Sequence, residues 1–213
     1  SDDQLLAEER MLKDYYLHAR MVSRYAQKAT RILTVRARSL LGGMLDAMRR
    51  RSVDGNYYTK GGVLFPKSAE CFWIAASNGV LLSEEMKDLL MAAHDVTDTE
   101  LFRTSTEARD FFMRILGMHK CTAQAIHAMH EAGVLADYMP EFRKLFCMVR
   151  IEHYHRYTVD EHLIKTLEAS EDLVNDAPGQ RPELMQAACA IVRWDLLNLS
   201  LLLHDIGKGE GHG

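Results

Sequence analysis

Proline and glycine are both scarce in this sequence. Its 213 residues include only 4 prolines and 13 glycines, which excludes a collagen-like or loop-rich chain and favours helices. Long apolar runs are lacking as well. No stretch of about 18 uninterrupted apolar residues exists, so the sequence predicts no membrane-spanning helix.

Closely spaced cysteines are also lacking. The four cysteines are far apart and form no Cys-x-x-Cys pair: Cys71, Cys121, Cys147 and Cys189. This spacing predicts reduced thiols in a cytoplasmic protein, rather than a disulfide framework or a zinc ribbon. The first residues, Ser-Asp-Asp-Gln, are polar and acidic, so they predict no signal peptide.

The sequence does contain enough apolar residues to form a core. Apolar residues make up 47% of the chain and charged residues 26%, as in one large domain or two small ones. The net charge of −4 does not by itself indicate a nucleic-acid partner. Ten basic residues nevertheless lie between Arg20 and Lys60, against only Asp46 and Asp54. They form either a solvated face or a surface that meets phosphates or an acidic neighbouring domain.

Apolar spacing and capping signals predict helices along most of the chain. From Gln4 to Ser39, apolar residues recur at steps of three, four or seven, as on one face of a long helix. Thr104 and Thr158 each open a Thr-x-x-Glu capping box ahead of a further helix. Only residues 56–66 have the aromatic and turn residues of a small hairpin. We therefore predict an all-α fold, with a long N-terminal helix and a helical bundle.

One pair of residues offers ligands for a metal ion. His204 and Asp205 are adjacent at the end of an apolar run, and His162 lies 42 residues earlier in the first turn of a capped helix. An imidazole nitrogen and a carboxylate oxygen together suit a divalent ion with mixed nitrogen and oxygen ligands. From composition alone, a capping aspartate beside a core histidine is the favoured interpretation of the pair.

Longer strings around these residues resemble a known family. Residues 201–209 (LLLHDIGKG) resemble the signature of the HD superfamily of metal-dependent phosphohydrolases. Residues 154–162 (YHRYTVDEH) resemble the start of the HD domain in the bacterial PII uridylyltransferase/uridylyl-removing enzyme family. Two further strings, at 14–20 and 129–142, resemble that family's segments after its nucleotidyltransferase core and before its HD domain. The order of the four strings matches the family as well.

The resemblance implies a set of site residues. His162, His204 and Asp205 correspond to ligands of a divalent metal, with Mg²⁺ or Mn²⁺ as the expected ion. His212 is placed to be a further ligand, and Lys208 is a candidate catalytic residue whose ammonium can meet a phosphate as a point charge. A solvated loop lysine is the competing interpretation of Lys208. The nearby histidines at 153 and 155 are expected to pack or to support the ligands.

Other features of the family have no counterpart in this sequence. No Gly-Ser turn with paired aspartates precedes Asp14, and neither the distant HD aspartate nor sensing domains follow Gly213. We therefore expect a central fragment of the family's enzyme with an incomplete HD-type domain. Residues 1–60 would be the helical tail of a nucleotidyltransferase domain without its catalytic core. Residues 61–150 would be a helical connector, and residues 151–213 the N-terminal part of the HD domain.

The implied function is part of the bifunctional enzyme that uridylylates and deuridylylates the PII nitrogen-signalling protein. The implied partners are the PII protein and, in the intact parent, UTP and UMP, with glutamine sensed by other domains and no membrane or nucleic acid involved. We expect the fragment alone to be inactive or nearly so. Two alternatives stay open: a non-catalytic helical connector that docks a partner, and an unrelated HD-type nucleotide phosphohydrolase.

Overall fold

The computed structural model describes residues 6–37, 67–82, 86–88, 90–91, 99–150, 157–175 and 182–210. Three sequence predictions lie outside these residues: the hairpin at 56–66, the supporting histidines His153 and His155, and the candidate ligand His212.

Helices make up nearly all of the described chain, and no strand occurs in those ranges. The predicted all-α fold and its long N-terminal helix are therefore confirmed. In chain order the elements are α1 (Ala7–Ala37), α2 (Lys67–Ser77), α3 (Thr99–Thr104), α4 (Thr106–Leu116), α5 (Thr122–Glu131), α6 (Val134–Tyr138), α7 (Pro140–Leu145), α8 (Val159–Asn175), α9 (Pro182–Cys189), α10 (Trp194–Leu203) and a 3₁₀ helix, η1 (Ile206–Glu210). Among the helices in these ranges, none has the length and apolar character needed to cross a membrane.

Contacts divide the chain into two compact units. One unit comprises residues 1–13 and 64–213, and the other comprises residues 14–63. In the second unit, the described part is the stretch of α1 from residue 14 onward, where Tyr15, Val22 and Tyr25 are exposed. The domains predicted at 1–60, 61–150 and 151–213 stay predictions.

The core of the first unit forms where apolar helix faces meet. Helix α2 packs on α4 and α5, and α8 packs on α5 and α10. Because α8 contacts both α5 and α10, the packing holds α8 alongside the helix that precedes His204. The largest fully buried side chains are Phe72, Phe102, Phe142, Ile115, Leu116, Ile126, Met129, Leu135, Leu145, Leu163, Ile164 and Leu167.

The helix predicted to start at Thr104 is capped one residue later. Ser105 has an extended backbone (φ −66°, ψ 123°), and its Oγ accepts a hydrogen bond from the Ala108 N–H at 3.2 Å. Thr104 instead ends α3, where its Oγ1 donates to the Glu100 carbonyl at 2.9 Å. Thr104 and Ser105 are adjacent hydroxyl residues. Thr104 is the last residue of α3, so Ser105 caps α4.

Replacing Ser105 by alanine is expected to lower the free energy of unfolding by about 1 kcal/mol, because the first turn of α4 loses its side-chain acceptor. Thr104→Ala is the matched control and should cost less, since a hydroxyl bonded back to its own helix adds little stability. Urea denaturation of the two variants measures the difference. A larger loss in Thr104→Ala would place the cap at Thr104 after all.

Candidate metal centre

His162 lies in the first turn of α8. The helix begins at Val159, directly after Thr158, and the His162 N–H donates to the Thr158 carbonyl at 2.8 Å. This bond closes the first turn of the helix. The His162 side chain is 30% exposed, so its imidazole is accessible while its backbone is fixed.

His204 and Asp205 follow the C-terminal end of α10, which a buried amide attaches to α4. The Asn198 side-chain NH₂ donates to the Leu116 carbonyl at 2.8 Å, and Asn198 is 1% exposed. After Leu203 the chain turns through His204 and Asp205 into η1. The position of the histidine and aspartate is therefore set by a helix that is itself anchored in the core.

The structure brings three of the predicted site residues together. Single ligand atoms from His162, His204 and Asp205 all lie within 4.8 Å of one another. Asp205 Oδ2 is 3.8 Å from His162 Nε2 and 3.5 Å from His204 Nε2. The two imidazole rings are 5.4 Å apart and nearly perpendicular, at 70°. One residue of α8 and two residues of the turn after α10 thus bring two nitrogens and one oxygen close together.

A hydrogen bond selects one tautomer of the neutral His204 ring. Its Nδ1 lies 2.7 Å from the Leu201 carbonyl oxygen. A carbonyl oxygen only accepts hydrogen bonds, so Nδ1 carries the proton and donates it. In the neutral ring, Nε2 then presents a lone pair toward Asp205 and His162. This is the arrangement in which metal-binding histidines are usually held.

Asp205 is held in its ionised form. Its partial burial opposes ionisation, but the Lys208 ammonium at 2.6 Å outweighs it and holds the pKa of Asp205 below the usual range. The His204 and His162 imidazoles act in the same direction when they are protonated. The predicted catalytic residue Lys208 therefore lies at the cluster, where its Nζ contacts the same Oδ2 atom that faces the two histidines. A cation that bound Oδ2 would compete with this ammonium.

The donor set fits a divalent cation. Two imidazole nitrogens and one carboxylate oxygen match the mixed coordination of first-row divalent metals, and Mn²⁺ and Mg²⁺ favour the carboxylate in particular. The three side chains are 20–39% exposed, so water or a substrate oxygen can reach the point where they converge. Within the described residues, this is the one such group of three.

Sequence reasoning missed a buried acid–base pair beside His162. Asp160 is fully buried, and its Oδ2 lies 2.9 Å from His130 Nε2 and 3.1 Å from the Cys147 N–H. These contacts attach the first turn of α8 to α5 and to the segment after α7. An acidic residue in the first turn of a helix is normally exposed and interacts favourably with the helix dipole. Its position in the sequence therefore does not indicate that Asp160 is buried.

The chain is similar to two curated proteins that have the same name. It is 36% identical over 140 residues to the bifunctional uridylyltransferase/uridylyl-removing enzyme of Ruegeria pomeroyi, an alignment that covers 64% of the chain and 15% of that relative. Against the enzyme of the same name from Rhodospirillum rubrum it is 28% identical over 217 residues, which covers 95% of the chain and 23% of the relative. No protein-family model and no solved structure matches.

The two alignments establish homology over almost the whole chain but only part of each relative. The chain spans less than a quarter of the length of the curated relatives described here. It is homologous to a segment of these enzymes, which confirms the family resemblance found in the sequence motifs.

Proposed function

We propose that this chain, a homologue of a segment of the bifunctional uridylyltransferase/uridylyl-removing enzymes, carries part of the metal-dependent site that removes uridylyl groups. The observation that carries the proposal is the convergence of His162, His204 and Asp205 within 4.8 Å. A capping aspartate beside a core histidine would not require a second histidine from another helix at the same point.

Each residue of the cluster has a distinct role in this proposal. His162, His204 and Asp205 hold a divalent ion, with Mn²⁺ or Mg²⁺ as the expected metal. Such an ion supplies a Lewis acid that acidifies water and offsets negative charge on a phosphodiester. Lys208 adds a positive charge 2.6 Å from Asp205, where its ammonium can bind a phosphate oxygen.

The substrate in this proposal is the uridylylated PII protein, and the product is UMP. Uridylyl transfer from UTP and glutamine sensing belong to other parts of the enzyme. We place this activity in the cytoplasm, in keeping with four cysteines that form no disulfide. We expect turnover by this chain alone to be slow or absent, since three ligands of which one is anionic should hold Mn²⁺ or Mg²⁺ only weakly.

Binding measurements test the proposal without requiring turnover. The chain should bind one Mn²⁺ ion per molecule, followed through the electron paramagnetic resonance signal of free Mn²⁺. Mn²⁺ should also strengthen the binding of UMP several-fold in isothermal titration calorimetry, because the phosphate meets both the cation and Lys208. His119→Ala, which removes an exposed histidine outside the cluster, should leave both results unchanged.

The alternatives predict different outcomes of the same experiment. If the chain binds no Mn²⁺, the metal site is wrong and the non-catalytic connector is favoured. If the chain with Mn²⁺ hydrolyses free nucleotides readily but releases no UMP from uridylylated PII, it is an HD-type nucleotide phosphohydrolase instead.

A further inference from the structure

The 3₁₀ helix η1, which follows the His204–Asp205 pair, is attached to the core by a few specific contacts. The carbonyl of Lys208 accepts a hydrogen bond from an Arg150 NH2 group at 2.5 Å, across 58 residues of sequence. Gly209 packs so closely on α7 that a Cβ there would lie 3.0 Å from the Lys144 Cβ. The backbone of η1 therefore has a fixed place on the surface of the first unit.

Arg150, which donates this hydrogen bond to η1, is unusual for a charged residue because it is buried. It is 7% exposed, and its NH1 group lies 3.7 Å from the Glu9 carboxylate, whose side chain is 0% exposed. Glu9 also accepts a hydrogen bond from the Leu6 N–H at 3.2 Å, in the first turn of α1. Two charges withdrawn from water are tolerated when each is matched by its partners. The guanidinium, with its five donors in a rigid fork, can serve two partners at once.

These contacts form one continuous path to the candidate ligands. It runs from the first turn of α1 through Glu9 and Arg150 to the Lys208 carbonyl. From there the Lys208 side chain reaches Asp205 Oδ2 at 2.6 Å, and the Lys208 N–H donates to the Asp205 carbonyl at 3.0 Å. All of these residues lie in the first compact unit.

We propose that Arg150 is a positioning residue for the candidate metal centre: it holds the Lys208 carbonyl while Glu9 holds its guanidinium, so the placement of Asp205 depends on the first turn of α1. The expected effect on metal affinity rests on the proposed function, whereas the expected effect on the placement of η1 does not. Arg150 acts on the candidate ligands through Lys208, whose carbonyl accepts its hydrogen bond.

Arg150→Lys and Glu9→Gln test the proposal with small changes in size. Arg150 contacts Glu9 and the Lys208 carbonyl through two different nitrogens of its guanidinium. A lysine has a single nitrogen, so the attachment of η1 should weaken. We expect the Lys208 amide hydrogen to exchange with solvent about tenfold faster in Arg150→Lys, measured by nuclear magnetic resonance without metal. We also expect Mn²⁺ affinity to fall roughly tenfold, as when other residues that support metal ligands are replaced.

Glu9→Gln should produce both changes to a smaller extent, because it weakens the support of Arg150 and leaves the Lys208 contact in place. The matched control is Lys144→Met, which removes the exposed ion pair between Lys144 and Glu210 and keeps the aliphatic packing against Gly209. Lys144→Met should change neither readout by more than about twofold. Circular dichroism confirms that each variant is folded at the temperature used.

The outcomes separate this inference from the proposed function. Unchanged amide exchange in folded Arg150→Lys overturns the positioning role, whatever happens to the metal. Faster exchange with unchanged Mn²⁺ affinity also overturns it, because Arg150 would then serve only the local fold. If the wild-type chain binds no Mn²⁺, the proposed function fails, and amide exchange alone decides whether Arg150 positions the loop.

Discussion

Replacing Asp205 by asparagine is expected to weaken Mn²⁺ binding by roughly 100-fold or more, while the chain stays folded. Asp205 is the one carboxylate among the three residues that converge in the described part of the chain, so its ionised form supplies the negative charge of this ligand group. Replacing residues that merely support a ligand costs about 10–100-fold in affinity, so removing the anionic ligand itself should cost at least as much. The asparagine keeps the size of the side chain, so packing around η1 should change little.

Asp195→Asn is the matched control for this experiment. Asp195 lies at the start of α10, the helix that leads to Asp205, and its carboxylate is ion-paired with Arg193 at 2.6 Å. It therefore resembles Asp205 in having a basic partner, but it has no histidine cluster beside it. Titration of both variants with Mn²⁺ measures the difference. Equal affinities in the two variants would show that Asp205 is not a ligand.

The candidate ligands could be predicted from the sequence because the information that identifies them is local. His204 and Asp205 are adjacent in the sequence. His162 lies in a string whose resemblance to the family can be recognised without knowing any contact in the fold. What the sequence does not contain is the direction of each side chain. The proton on His204 Nδ1 is placed by the Leu201 carbonyl at 2.7 Å, and that contact exists only after the helix has formed.

The supporting residues could not be predicted, because their burial depends on partners far away in the sequence. Arg150 meets the Lys208 carbonyl across 58 residues, and Asp160 meets His130 across 30. In the sequence each is an ordinary charged residue, and such residues are usually exposed. An acidic residue at the start of a helix can be recognised in the sequence. The distant partner that allows its side chain to be buried cannot.

Replacing Asp160 by alanine is expected to lower the free energy of unfolding by about 3 kcal/mol, because two buried donors lose their acceptor at a cost of about 1–3 kcal/mol each. The change leaves His130 Nε2 and the Cys147 N–H facing a cavity, and both are donors that Asp160 Oδ2 accepts. Urea denaturation with a chelator present measures the loss without any contribution from bound metal. Asp172→Asn, an exposed acid on the same helix, is the control and should change stability by less than about 0.5 kcal/mol.

The pH dependence of the loss identifies its cause. Burial opposes the ionisation of Asp160, but hydrogen bonds from His130, Thr158 and the Cys147 N–H outweigh it and lower its pKa. A carboxylate with a lowered pKa stabilises the fold above its ordinary pKa of about 3.9, and that contribution is lost as the pH falls through the lowered value. Asp160→Asn keeps the shape but removes the charge, so its stability deficit should be largest near pH 7 and shrink below about pH 4. A deficit that does not change between pH 7 and pH 3 would mean that geometry, rather than charge, connects the start of α8 to α5.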